Sequence, residues 1–238
     1  MKSIVKIPVL LLMLISTTSC VLTGIKGNSQ VTTEDRNLNS KFDGIKVSQG
    51  INLILTQGND EKITVETDEN LQDILVTKVN NNNVLEVYFD KNVRKVSTKN
   101  VYVTAKDISL LSTSSGASLT SENAIRSESV QLKSSSGSSI RVEIVAHEIT
   151  SAASSGSNIK IIGKTNNFTA KASSGSTIRA NRLEAAEVEA KASSGASIDV
   201  NASEILIATA SSGGSINFEG NPKKLIKNTS SGGSVHKN

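Results

Sequence analysis

Serine is plentiful in this chain, and one stretch, Ser157–Lys160 (SNIK), has the spacing of a serine–lysine pair. In such a pair a lysine amine takes the proton of the nucleophilic hydroxyl. The S-D-N and K-T-G partners of the S-x-x-K enzymes are missing, and so is the G-x-S-x-G elbow. Two histidines, His147 and His236, and a single cysteine, Cys20, leave little for a metal site, and no C-x-x-C, H-E-x-x-H or calcium-loop pattern occurs. No cofactor is expected. The carboxylates Glu143, Glu148, Glu184, Glu187, Asp199 and Glu204 are scattered, and no pair recurs at a spacing that would flank a glycosidic bond. The chain therefore reads as non-enzymatic, with a glycan-active lyase or hydrolase as the alternative. What remains is a set of cations, Lys133, Arg141, Lys160, Lys171, Arg179 and Lys191, whose spacing is close to regular.

That regularity belongs to a repeat. Ser-Ser-Gly recurs with its glycine at 116, 137, 156, 175, 195, 213 and 232. Three residues after each glycine stands Leu119, Ile140, Ile159, Ile178, Ile198, Ile216 or Val235. The next residue is mostly polar and the one after mostly apolar, a period of two that marks a half-buried strand. Upstream, small residues stand three before the glycine and apolar ones seven before it, as at Val130, Ile149, Phe168, Val188 and Leu206. Each unit is strand, Ser-Ser-Gly, strand, and then a segment that takes up the length differences, expected to be a loop-bearing corner.

A unit of about 19 residues cannot bury its own apolar face, but stacked on its neighbours it can. The expected fold is all-β: a right-handed parallel β-helix or solenoid, six steps of about 4.8 Å making a rod of roughly 29 Å. The glycine should carry a positive φ at the bend. One serine of each pair should point inward, its hydroxyl bonding along the stack. Without tryptophan and with six Phe and Tyr in total, the core must be small and aliphatic.

On this frame Arg141, Lys160 and Arg179 occupy one slot on consecutive coils, with Lys133, Lys171 and Lys191 across the corner. The strip is a candidate site for an anionic glycan, lipopolysaccharide or another envelope polyanion. A solvated face with Glu143 and Glu189 as counter-charges explains the same residues, and the sequence favours it. A formal charge of +4, about half of it in the leader (Lys2 and Lys6), is too mild for nucleic acid.

Ahead of the repeats, residues 1–19 have a basic start, an apolar run from Ile7 to Ile15 and small residues before Cys20. This is a secretory signal, too short to span a membrane. It resembles a bacterial lipoprotein signal with TTSC as its lipobox, although Thr17 stands where leucine is usual. Cys20 is the expected lipid attachment point, and residues 20–36 read as a polar tether. Residues 37–106 form a strand-rich N-terminal region, either a cap or degenerate coils, with Asn80–Asn83 as a hairpin turn; residues 107–238 are the solenoid. Exposed terminal coils would allow end-to-end oligomers, and Lys237 stands in an inward slot as a charged edge blocker.

The run FDGIKVSQGINLILTQGNDEKITVETDENLQDILVTKVNNNNVLEVYF, followed by SSGAS and SSGSS repeats behind that leader, resembles the head GIN domain family of "putative autotransporter adhesins". The resemblance covers residues 42–238. It implies a β-helical cell-envelope protein, adhesin-like or scaffolding, with no catalytic residues to carry over. No acidic run follows Cys20, so surface and periplasmic positions, the latter as a structural or signalling module, both stay open.

Overall fold

The computed structural model describes residues 23–37 and 40–238; the leader and Cys20 lie outside them. The described residues are nearly all β, 64% strand and 3% helix, wound as a β-solenoid whose Ser-Ser-Gly repeats make about seven turns. Parallel pairing puts equivalent residues of successive coils in register. One inward file runs Val101, Leu53, Leu119, Ile140, Ile159, Ile178, Ile198, Ile216, Val235. A second, on the other side of the bend, runs Leu85, Ile45, Leu111, Leu132, Ser151, Ala170, Ala190, Ala208. Apart from Val235 at the last coil, all these side chains are buried. The second file shrinks from leucine to alanine along the stack, while Phe168, Phe218 and the isoleucines fill the remaining space.

The bend follows from Ser-Ser-Gly by turn chemistry. In each copy both the second serine (φ 47 to 53) and the glycine (φ 67 to 74) are left-handed. The first serine's carbonyl accepts from the N–H three residues on, as Ser114 does from Ala117 and Ser193 from Ala196. Two left-handed central residues make a type I′ turn. Bends also bond to one another: Gly137 N–H donates to Ser155 O, Gly156 to Ser174 O and Gly175 to Ser194 O.

The serine pair does not face inward as expected. Its first member is half-buried, except for the exposed Ser230 of the last copy, and its second is exposed. The inward hydroxyl comes from the residue after the glycine: Ser138, Ser157 and Ser176 are buried. Ser157 Oγ donates to Ser134 O at 2.7 Å and Ser176 Oγ to Ala153 O at 2.8 Å. The second serine and the glycine are the central residues of the turn and project away from the strands, so the inward alternation resumes at the residue after the glycine.

The third corner is not a loop in most coils. Ser139–Ala153, Asn158–Ala172, Thr177–Ala192 and Ser197–Ala210 run through it as unbroken strands. Extra residues are absorbed as register shifts, between Lys160 and Ile162 and between Ala180 and Glu184. Gly163 (φ 124) permits the close approach there, since a Cβ on it would clash with Ile144 O.

No boundary separates the N-terminal region from the solenoid. Gly44–Val47 and Asn52–Gln57 flank Ser48-Gln49-Gly50, an eighth bend with positive φ at Gln49 and Gly50. This level stacks beneath Leu110–Thr113 and Ser118–Ser121, and Val84–Phe89 with Lys99–Ala105 stack beneath it. The N-terminal region thus contains two degenerate coils and also a cap. Leu75–Val79 pairs antiparallel with Val84–Phe89 through the Asn80–Asn83 turn, and Lys62–Asp68 pairs antiparallel with Lys99–Ala105.

The expected tether also needs correction. From Ile25 onward it belongs to the fold: Ile25–Lys26 pairs with Val93–Arg94, and Val31–Arg36 runs antiparallel to Lys62–Asp68. Its polarity misleads because Val31–Arg36 is an outermost strand with mostly exposed side chains, so it shows no apolar alternation. Side chains clip it down. The buried Asp68 accepts from Ser29 N and, through both oxygens, from Ser97 N and Oγ. Gln72 donates to Thr32 O, and Arg36 donates to Gln72 O and Oε1.

Candidate functional site

The serine–lysine pair dissolves in the structure. Ser157 is buried with its hydroxyl committed to Ser134 O. Lys160 lies three residues on along the strand, in an outward slot between Arg141 and Arg179. Odd separation on a strand sends the two side chains to opposite faces. His147 and His236 are both exposed. Among the described residues no group of three His, Cys, Asp or Glu is placed to hold a metal.

The cations form two files on two faces of the bend. Arg141, Lys160 and Arg179 stack in register, with Asp199 next in the file. Arg179 Nη1 donates to Asn158 Oδ1 at 3.2 Å. The other file reads Lys46, Ser112, Lys133, Ala152, Lys171, Lys191, Thr209. Lys133 is thus separated from Lys171 by a coil carrying alanine. Glu189 pairs with Lys191, and this bond, with weaker help from Lys171, holds the Glu189 carboxyl below its ordinary pKa. Glu143 forms no ion pair among the described residues.

The second file lines a groove of about 670 Å³ that follows the solenoid axis across six coils, from Ser112 to Thr209. Lys133, Lys171 and Lys191 rise on one side, and Ser135, Ser154, Ser173 and Ser193, the first serines of successive bends, form the other. The floor is small because Ala153, Ala172 and Ala192 turn inward beneath it. At the capped end the same surface continues into a recess of about 410 Å³ bounded by Lys46, Ser48, Glu86, Tyr88 and Ser114. Tyr88 occupies the file of the first serines, one level below Ser48, and Lys78 Nζ lies 5.4 Å from its ring centre. From sequence, Tyr88 reads as lying outside the repeat, and Lys46 draws no notice. The S-Q-G bend at 48–50 was the signal that would have placed both.

This arrangement offers charge-assisted hydrogen bonds at intervals of one or two coils, hydroxyls at every coil, and an aromatic face at one end. The Arg141 file opens on a separate, smaller recess with Glu143 and Arg182. The six cations are therefore not one strip.

A sequence profile described as "Putative auto-transporter adhesin, head GIN domain" matches residues 41–222. No curated protein matches the chain in sequence. Among solved structures, an adhesin so titled from Bacteroides fragilis superposes with a TM-score of 0.84 at 19% identity, over 90% of this chain and 100% of that one. A protein titled as lipid binding, from Parabacteroides distasonis, gives 0.73 at 19% identity, covering 91% of this chain and 100% of the other. An adhesin so titled from Parabacteroides merdae gives 0.66 at 17% identity, over 90% and 99%. None of these carries an enzyme's name, and at such identities they speak for the fold alone. With the profile spanning most of its length, the chain belongs to the head GIN domain family.

Proposed function

We propose that this protein is a non-enzymatic binding module of the cell envelope, held to the membrane through Cys20, that captures an extended anionic glycan along its axial groove. The adhesin designation of its family supports an envelope role. Among the described residues no helix is long and apolar enough to cross a membrane. The observation that carries the binding reading is the groove itself, with Lys133, Lys171 and Lys191 facing a row of first serines above Tyr88.

Retention of the chain from Val21 on immobilised heparin and lipopolysaccharide tests it. Retention should fall as salt rises, and Lys133/Lys171/Lys191→Gln should abolish most of it. Tyr88→Ala should weaken glycan binding by about 0.5–1.5 kcal/mol without changing the salt slope. Arg141/Lys160/Arg179→Ala alters the other face and should leave retention nearly intact. If that variant loses binding while the lysine variant keeps it, the groove is not the site.

A further inference from the structure

The first described residues do not leave the solenoid at random. Ile25–Lys26 is fixed beside Val93–Arg94 as a two-stranded parallel ribbon at the capped end. Ile25 N donates to Asn92 O, Gly27 N donates to Arg94 O, and Arg94 Nε donates to Gly24 O at 3.0 Å. Behind the ribbon, Gly27 lies so close to Asp68 that a Cβ there would meet Oδ2 at 2.7 Å. The ribbon cannot swing away without breaking the Asp68 clip.

Its surface is cationic. Lys26, Lys91, Arg94 and Lys95 are all exposed, and none joins an ion pair among the described residues. Residues 23–30 contain no acid, and the loop 90–98 contains one, Asp90, against three cations. Lys95 holds φ 49, a conformation in which asparagine or glycine would be less strained than lysine. The long cation stands there at some backbone cost.

Distance makes this position meaningful. Five residue steps separate Cys20 from Ile25, at most about 18 Å of fully extended chain. That is about two screening lengths at physiological salt. We propose that the ribbon is a membrane-apposed surface that takes anionic lipid headgroups, so that the capped end faces the bilayer and the regular coils point away from it. The orientation rests on Cys20 being the lipid anchor; the headgroup contact rests on the ribbon alone. An acyl anchor fixes attachment but not tilt. A cationic patch beside it supplies the second contact that defines the tilt.

The test is co-sedimentation of the chain from Val21, which keeps every described residue, with vesicles of equal parts phosphatidylglycerol and phosphatidylcholine, and with phosphatidylcholine alone. Binding should appear only with the anionic vesicles and weaken as salt rises. Lys26/Lys91/Lys95→Gln, which leaves the Arg94 bond to Gly24 in place, should reduce it on the order of 10- to 100-fold. Lys133/Lys171/Lys191→Gln should leave it largely unchanged. No binding, equal binding to both vesicles, or binding indifferent to the ribbon variant overturns the proposal. Alkynyl-palmitate labelling of the full chain, against Cys20→Ala, tests the anchor separately. A chain that binds vesicles but takes no label refutes the anchor and keeps the headgroup contact. A chain that takes the label but ignores the vesicles refutes the contact.

Discussion

At the scale of single residues, the inward files contain one polar misfit. Ser151 is fully buried, and its hydroxyl finds no hydrogen-bond partner among the described residues. It sits between Leu132 and Ala170, and alanine fills the same slot in the next three coils. An unpaired buried hydroxyl costs about 1–3 kcal/mol of desolvation, and removing one oxygen leaves only a small void. Ser151→Ala should therefore raise stability by about 0.5–2 kcal/mol, seen as a higher urea midpoint with an unchanged slope. A lower midpoint would mean that the hydroxyl is bonded after all. The files themselves could be read from the repeat, because an isoleucine at a fixed offset has a periodic cause. The exposed serine at positive φ could not. Glycine announces a left-handed bend on its own, whereas serine adopts that conformation only because a type I′ turn demands it of both central residues.

At the scale of elements, the strap over residues 25–36 was the least legible part of the fold. An outermost strand held by side-chain clips shows neither alternation nor turn signals. Asp68 marks its dependence on a charge. Burial alone would raise the pKa of this carboxyl. The bonds from Ser97 N, Ser97 Oγ and Ser29 N outweigh burial and hold it below the ordinary aspartate value. A carboxyl depressed on folding stabilises fully above its unfolded value, near 3.9, and that contribution is lost as pH falls through the folded value. The strap should then loosen in acid before the coils do. Hydrogen exchange at Ser29, Val31 and Thr33 should quicken relative to Ile159 and Ile178 below about pH 4. Asp68→Asn should show that loosening already at neutral pH, at a cost of about 1–3 kcal/mol. Uniform exchange across pH in the native chain would remove Asp68 from this role.

At the scale of the whole molecule, the nine stacked levels formed by the described residues are unequal. The capped end is closed by antiparallel strands and filled by Leu71, Leu75 and Phe89. At the other end Lys224–Thr229 is exposed throughout, with Leu225 at 42% and Ile226 at 36%. Yet Leu225 continues the file of Val188 and Leu206, which are buried. The repeat therefore identified the slot, but burial in a stack depends on a neighbour above as well as below, and a slot's sequence cannot report that. In a quasi-one-dimensional array each coil is held by its own contacts and its two interfaces, so an end coil with one interface opens first. Leu206→Ala should cost about 2–5 kcal/mol, because it leaves a void between two packed coils. Leu225→Ala, at a half-solvated position, should cost less than about 1 kcal/mol. Amide exchange should be fastest in Lys224–Thr229 and Ser234–Lys237 and slow markedly by Leu206. Were a second copy to cover that open edge, Leu225 would behave like Leu206 and its exchange would slow with protein concentration. Equal costs at all concentrations would show instead that stability is shared along the rod rather than built coil by coil.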